Sequence, residues 1–99
     1  MSFSLRWTPE ATKTLQQNAD YLFEEWGDQV ANDFLDRVEG LLDLIKQNPR
    51  IYPLHSSSKT VHKCIVNKRI ILFFEIKSDN FINLLTFWNT YQEPEKLKL

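Results

Sequence analysis

Residues 59–88 read KTVHKCIVNKRIILFFEIKSDNFINLLTFW, and this stretch decides the fold. Val, Ile, Leu, Phe and Trp dominate it. Polar breaks at Asn67-Lys68 and Ser78-Asp79-Asn80 cut it into runs of strand length. Strands joined by such short breaks form an antiparallel meander. Asn67-Lys68 fits a two-residue hairpin turn, although its second position lacks the favoured glycine. In the middle run Ile70, Leu72, Phe74 and Ile76 share one face, and Ile71, Phe73 and Glu75 share the other. A strand apolar on both faces belongs at the centre of its sheet. Strict alternation in the last run puts Phe81, Asn83, Leu85, Phe87 and Asn89 on one side and Ile82, Leu84, Thr86 and Trp88 on the other.

Working back toward the N-terminus, the segment SFSLRW (Ser2 to Trp7) alternates Phe3, Leu5 and Trp7 with small or charged residues, the period of a strand. Thr8-Pro9-Glu10 then signals a helix start: a hydroxyl to cap free N–H groups, a proline suited to the first turn and an acid facing the positive helix end. A first helix is expected from about Pro9 to Trp26, with Ala11, Leu15, Ala19, Leu22, Phe23 and Trp26 on one apolar face. Gly27 fits its stop, and Asp28 fits the N-cap of a second helix over about Gln29 to Gln47. In that helix Val30, Phe34, Val38, Leu41, Leu42 and Ile45 form the stripe, Ala31 and Leu35 widen it, and Asp33, Asp36, Glu39 and Asp43 make the outer face acidic. A glycine inside a helix is costly, so Gly40 suggests close approach to a neighbouring element. Asn48-Pro49 ends the helix. The loop NPRIYPLHSSS (Asn48 to Ser58) carries Ile51, Tyr52 and Leu54, expected to pin it to the core. The fold class is therefore α+β: β-α-α-β-β-β, a helical hairpin packed on one face of a four-stranded antiparallel sheet. Any functional surface is expected on or beside the other face. The tail from Asn89 is polar with late leucines, and it suits either a frayed end or a short docked turn of helix.

Ninety-nine residues suggest one domain, residues 1–99. The N-terminus lacks the charged-then-apolar pattern of a signal peptide, and no apolar run approaches membrane-spanning length, so a cytoplasmic location is expected. The single cysteine, Cys64, excludes an internal disulfide and lies in a strand-like run, where it reads as a small buried hydrophobe. The formal net charge is −1, but unevenly spread: from Arg50 to Arg69 there are five cations and no acid, whereas residues 1–49 carry nine acids against four cations. Two explanations stand side by side, a site for a polyanion or acidic partner and a strand edge guarded by lysines.

Much chemistry is excluded. Two glycines, Gly27 and Gly40, cannot make a phosphate-binding loop, so no nucleotide cofactor is expected. His55, His62 and Cys64 do not match a zinc spacing, and His62 with Cys64 on one strand face is too few ligands for a metal site. What remains is a basic cluster, Lys59, Lys63, Lys68 and Arg69, near His62, Trp88 and Tyr91. Cations stabilise the charged transition state of phosphodiester cleavage, a histidine serves as acid or base, and aromatics stack on bases. Taken by composition alone, the same residues are better explained as strand-end lysines and ordinary core aromatics.

The chain also resembles the RelE/ParE toxin superfamily of bacterial type II toxin–antitoxin modules. The resemblance is carried by W-T-P-E-A (Trp7 to Ala11), Y-L-F-E-E-W-G (Tyr21 to Gly27) and N-P-R-I-Y-P (Asn48 to Pro53). It continues through K-x-I-V-x-K-R-I-I-L-F-F-E-I (Lys63 to Ile76) and L-L-T-F-W-N-T-Y-Q-E-P-E-K-L (Leu84 to Leu97). It implies a helical hairpin on a twisted sheet and toxicity neutralised by a cognate antitoxin that wraps the toxin. The target it implies depends on the branch: DNA gyrase for ParE-like members, favoured by the long hairpin, the Trp-Gly between helices and the N-P-x-x-Y-P loop, or ribosome-bound mRNA for RelE-like members. RNA cleavage, without a metal, would fall to Lys63, Arg69 and Tyr91, with His62 as a further candidate. A non-toxic antitoxin-binding relative is the third alternative. Two features depart from the RNA-cleaving pattern. The sequence pI is near 6.1 rather than strongly basic, and Tyr91 stands where many relatives, reading T-R-Q-x-P, have arginine.

Overall fold

The computed structural model of the chain describes residues 2–56, 58–77, 80–97 and 99. The elements follow the expected order: β1 (Ser4–Trp7), α1 (Pro9–Trp26), α2 (Asp28–Gln47), β2 (Val61–Ile65), β3 (Ile70–Lys77) and β4 (Phe81–Asn89), with short 3-10 turns at Pro49–Ile51 and Pro94–Lys96. The four strands form one sheet in the order β1-β4-β3-β2, and the helical hairpin covers one of its faces. No helix is long and apolar enough to cross a membrane, among the residues described.

The sheet is mixed rather than wholly antiparallel. β2, β3 and β4 form the antiparallel meander, but β1 pairs with β4 in parallel, Ser4 opposite Phe81 and Trp7 opposite Leu84. The reason lies in the return path. The Phe3 N–H donates to the Lys46 carbonyl at 2.8 Å, so α2 ends beside the start of β1. The chain re-enters the sheet from the end where it began, and β2 and β4 run with β1.

Thr8 caps α1 as expected: its Oγ1 accepts from the Ala11 N–H at 3.1 Å. The same hydroxyl donates to the Leu84 carbonyl at 2.6 Å. Beyond Trp7 no strand continues along the outer edge of β4, and side chains of α1 take over that edge. Thr14 Oγ1 accepts from the Phe87 N–H at 2.9 Å, and Asn18 Nδ2 donates to the Phe87 carbonyl at 3.1 Å. Asn18, on the buried side of an otherwise amphipathic helix, is thereby satisfied. Gly27 alone joins the helices. It closes α1 through its N–H to the Phe23 carbonyl and starts α2 through its carbonyl to the Ala31 N–H, with φ 91°, so Asp28 falls in the first turn of α2 rather than at its N-cap.

The core holds Phe34, Val38, Leu42 and Ile45 of α2 against Cys64, Leu72, Phe74, Ile82, Leu84 and Phe87 of the sheet. Strict alternation fails in β4. Phe73 lies opposite Thr86 but Phe74 opposite Leu84, so Leu85 is an extra, bulged residue. The bulge shifts the alternation by one, and Ile82, Leu84 and Phe87 all face the helices while Thr86 and Trp88 turn to the open face. The β2–β3 connection also differs from a two-residue turn. Val66 N–H bonds the Ile70 carbonyl across three residues, and the Asn67 side chain accepts from the N–H groups of Arg69 and Ile70, supplying locally what a glycine would allow. Of the second polar break, Ser78 and Asp79 lie outside the described residues; Asn80 adopts φ 63°, a region asparagine tolerates.

Two expectations about packing change. A Cβ added at Gly40 would meet nothing within 4 Å, so no close approach explains that glycine. Of the loop trio, Tyr52 packs edge-on against Phe74, whereas Ile51 and Leu54 stay exposed. The loop is held instead by backbone pairing along the outer edge of β2: His55 N–H to the Val61 carbonyl and Lys63 N–H to the Pro53 carbonyl.

Two substitutions test these assignments by chemical denaturation. Gly40→Ala is expected to stabilise the fold by about 0.5–1 kcal/mol, since it removes backbone entropy without a clash. Asn18→Leu is expected to destabilise it by about 1–3 kcal/mol, because the Phe87 carbonyl loses its buried donor.

Candidate functional site

The bulged register defines the open face of the sheet. It carries Arg6 of β1, Phe81, Asn83, Thr86 and Trp88 of β4, Ile71, Phe73 and Glu75 of β3, and Val61, Lys63 and Ile65 of β2. This face is not bare. His55 packs edge-on against Phe73 with ring centroids 5.1 Å apart, and Phe73, Val61 and Thr86 are buried. The C-terminal turn borders the same face: Pro94, Leu97 and Leu99 close a cavity of about 630 Å³ together with Thr60, Glu75 and Leu85.

Glu75 is the most constrained ionisable group there. Thr60 Oγ1 donates to its Oε2 at 2.7 Å and Lys77 Nζ lies 3.0 Å from Oε1. The Thr60 hydrogen bond first, then Lys77, hold its carboxyl below the usual glutamate range. Its register neighbour Asn83 has a buried Oδ1 with no hydrogen-bond partner among the described residues.

The structure separates the candidate residues read from sequence. Lys63 sits opposite Phe73 on the open face. Arg69 lies four residues from Phe73 along β3, roughly 13 Å at strand spacing. His62 points the other way, toward the helices. Its ring stacks on Phe74 at 5.4 Å, and its Nδ1 lies 2.8 Å from the Tyr52 carbonyl. Cys64 is buried and free, and burial pushes its thiol pKa up. Among the described residues no three His, Cys, Asp or Glu side chains gather as metal ligands.

Arg69 and Tyr91 do come together. The Arg69 guanidinium lies 4.6 Å over the Tyr91 ring, and the Thr90 N–H donates to the Arg69 carbonyl at 2.6 Å. Tyr91 is 73% exposed, and among the described residues the Arg69 side chain has no carboxylate within salt-bridge reach. The pair thus presents a cation and an aromatic face to solvent at the start of β3. The sequence reading set the basic cluster near Tyr91, and the β3–β4 register, with Ile70 opposite Asn89, is what joins two residues 22 positions apart.

A second surface at the same end was missed. Trp26 is 62% exposed and Phe23 55%, although both fall on the apolar stripe of α1. Leu22, Trp26 and Val30 form one wall of a groove of about 310 Å³, and Asn67, Lys68 and Arg69 form the other. Leu22 still packs on the core, but Phe23 and Trp26 at the end of the stripe are left largely uncovered.

The sequence matches the family described as the ParE toxin of the type II toxin–antitoxin system parDE, over residues 5–94. The chain belongs to that family. Solved structures share its fold. A structure of the chromosomal ParDE toxin–antitoxin system from P. aeruginosa is 18% identical, with a TM-score of 0.76 over 89% of this chain and 96% of that one. The E. coli DinJ–YafQ toxin–antitoxin complex gives 15% identity and a TM-score of 0.62 over 92% and 96%. The YoeB dimer from Staphylococcus aureus gives 14% and 0.61 over 89% and 97%. No curated protein sequence matches. At these identities the structural likenesses concern the fold, and the toxin–antitoxin class rests on the family match.

Two measurements follow for this ParE-family chain. Cys64 is expected to resist a thiol reagent in the native state and to react on unfolding, read by the rate of colour release with and without denaturant. Thr60→Val is expected to raise the Glu75 pKa toward the ordinary value of about 4.3. A depressed carboxylate pKa stabilises the fold above the unfolded value, and this contribution is lost as pH falls through the folded one. The variant should therefore lose less stability on acidification than the parent, with carboxyl NMR titration reporting the shift itself.

Proposed function

We propose that this chain is a ParE-like toxin that inhibits DNA gyrase and is held inactive by a cognate antitoxin in the cytoplasm. The observation that carries the proposal is the family match across residues 5–94, which takes in both helices and all of the sheet except Ser4. The placement of the candidate residues supports gyrase over RNA as target. His62, the candidate acid or base, faces the helices with its ring stacked on Phe74, and Lys63 pairs in register with Phe73, four residues from Arg69. The formal net charge of −1 also suits a protein target better than a polyanionic one.

One observation favours a second reading, ribosome-dependent mRNA cleavage. Arg69 over Tyr91 is a stacking surface with a cation attached, the parts that hold a base and its phosphate. In that case Lys63 and Arg69 stabilise the transition-state charge and Tyr91 takes the place of the family's arginine, with stacking kept and the permanent cation supplied by its neighbour.

Purified gyrase and a translating ribosome, each supplied with the protein, separate the two. Excess protein is expected to block supercoiling and trap cleaved DNA, leaving ribosome-bound mRNA intact. Normal supercoiling together with mRNA cleavage that Arg69→Ala lowers by at least tenfold would replace the gyrase proposal with the second reading. Inertness in both assays, with antitoxin binding retained, would leave a non-toxic antitoxin-binding relative.

A further inference from the structure

The groove at the hairpin tip has two unlike walls. Leu22, Trp26 and Val30 make one of them apolar, while Lys68 and Arg69 make the other cationic. Among the described residues neither cation lies within 4 Å of a carboxylate; the ion pairs present are Lys46–Asp43 and Lys77–Glu75. Trp26 is left 62% exposed beside Leu22, Val30 and these two cations, an apolar patch with a charged rim of the kind that marks an interaction site. Trp, Tyr and Arg are also the residues that dominate binding energy at protein interfaces, and Trp26, Arg69 and Tyr91 adjoin here.

We infer that this groove receives the antitoxin, through a segment that places an apolar side chain against Trp26 and carboxylates against Lys68 and Arg69. The inference rests on the antitoxin partner proposed above and adds where and by what chemistry it docks. Charge complementarity fixes the occupant: an apolar segment without acids would leave both cations facing its hydrophobic surface, and a basic one would be repelled. The groove volume of about 310 Å³ is at the small end of ligand-sized pockets, which suits one or two anchoring side chains rather than a whole helix.

Arg69 gives the docking a consequence. The same guanidinium lines the groove and lies over the Tyr91 ring. A carboxylate bound at the groove competes with the Tyr91 ring for that guanidinium. Docking at the groove is thereby coupled to the Arg69–Tyr91 pair through the one guanidinium they share.

The test uses the full chain and, as probe, the purified product of the small reading frame adjoining its gene. Binding is measured by titration calorimetry at two salt concentrations, with tryptophan emission recorded in parallel. Trp26→Ser and Lys68→Glu are each expected to weaken binding by at least tenfold. Leu44→Ser, at an exposed position toward the other end of α2, should leave binding unchanged. The parent's emission should shift to the blue on binding, and Lys68→Glu should show a shallower salt dependence. Circular dichroism confirms that each variant is folded. If the parent binds and both groove variants bind as well as it does, the groove assignment is overturned while the antitoxin partner stands. If the parent does not bind the probe, the partner proposal fails and the inference with it. A self-associated dimer that Trp26→Ser dissolves, with unaltered affinity for the probe, would assign the groove to a second copy of the chain and overturn the inference.

Discussion

The fold depends on how the outer edge of β4 is closed. β1 is only four residues long and leaves β4 unpaired beyond Leu84. Backbone groups left there without partners would cost about 1–3 kcal/mol each when buried. α1 closes the edge with side chains: Thr8 on the Leu84 carbonyl, Thr14 on the Phe87 N–H and Asn18 on the Phe87 carbonyl. These contacts fix the helix along the strand, and the Leu85 bulge brings Phe87 onto the helix-facing side where Trp7 stacks on it at 5.9 Å. A helix thus finishes what a short strand begins, and it protects an edge that would otherwise invite pairing with another chain.

That arrangement also explains why the functional features gather at the hairpin tip. α1 is seated on β4 through its first three turns, and Phe23 and Trp26 near its end are left largely uncovered. The β2–β3 turn reaches the same region and is tied to α2 by the Arg37 guanidinium on the Val66 carbonyl. Arg69 leaves that turn and meets Tyr91 just past the end of β4. An apolar helix tip, a cationic turn and the aromatic Tyr91 are juxtaposed by register rather than by sequence.

Much of this was legible in the chain itself. The 3.6-residue spacing, Thr8-Pro9 and Gly27 marked both helices to within a residue, and the polar break at Asn67 marked one strand boundary. The direction of β1 was not legible, since alternation over four residues says which face is buried and nothing about the neighbour. The bulge was hidden because Leu84 and Leu85 are both apolar, so either phase of the alternation looked acceptable. The site was the least legible part. Lys63 and Arg69 are near in sequence but separated in the register, Lys63 opposite Phe73 and Arg69 before the start of β3, whereas Arg69 and Tyr91 are remote in sequence and touch. His62 read as a reactive histidine and serves as a packed ring.

The position of β4 has a consequence for how the molecule comes into being. The fourth strand in chain order lies inside the sheet, between the first strand and the third. The hydrogen bonds that seat α1 on it span 69 to 77 residues. Contacts of such sequence separation form late and slowly. A nascent chain ending before Phe81 has no partner for β1 and none for the inner edge of β3, so neither helix has its full sheet to pack on. The ordered fold is thus expected only once β4 has left the ribosome, and the helices made long before it must wait for the strand they pack on.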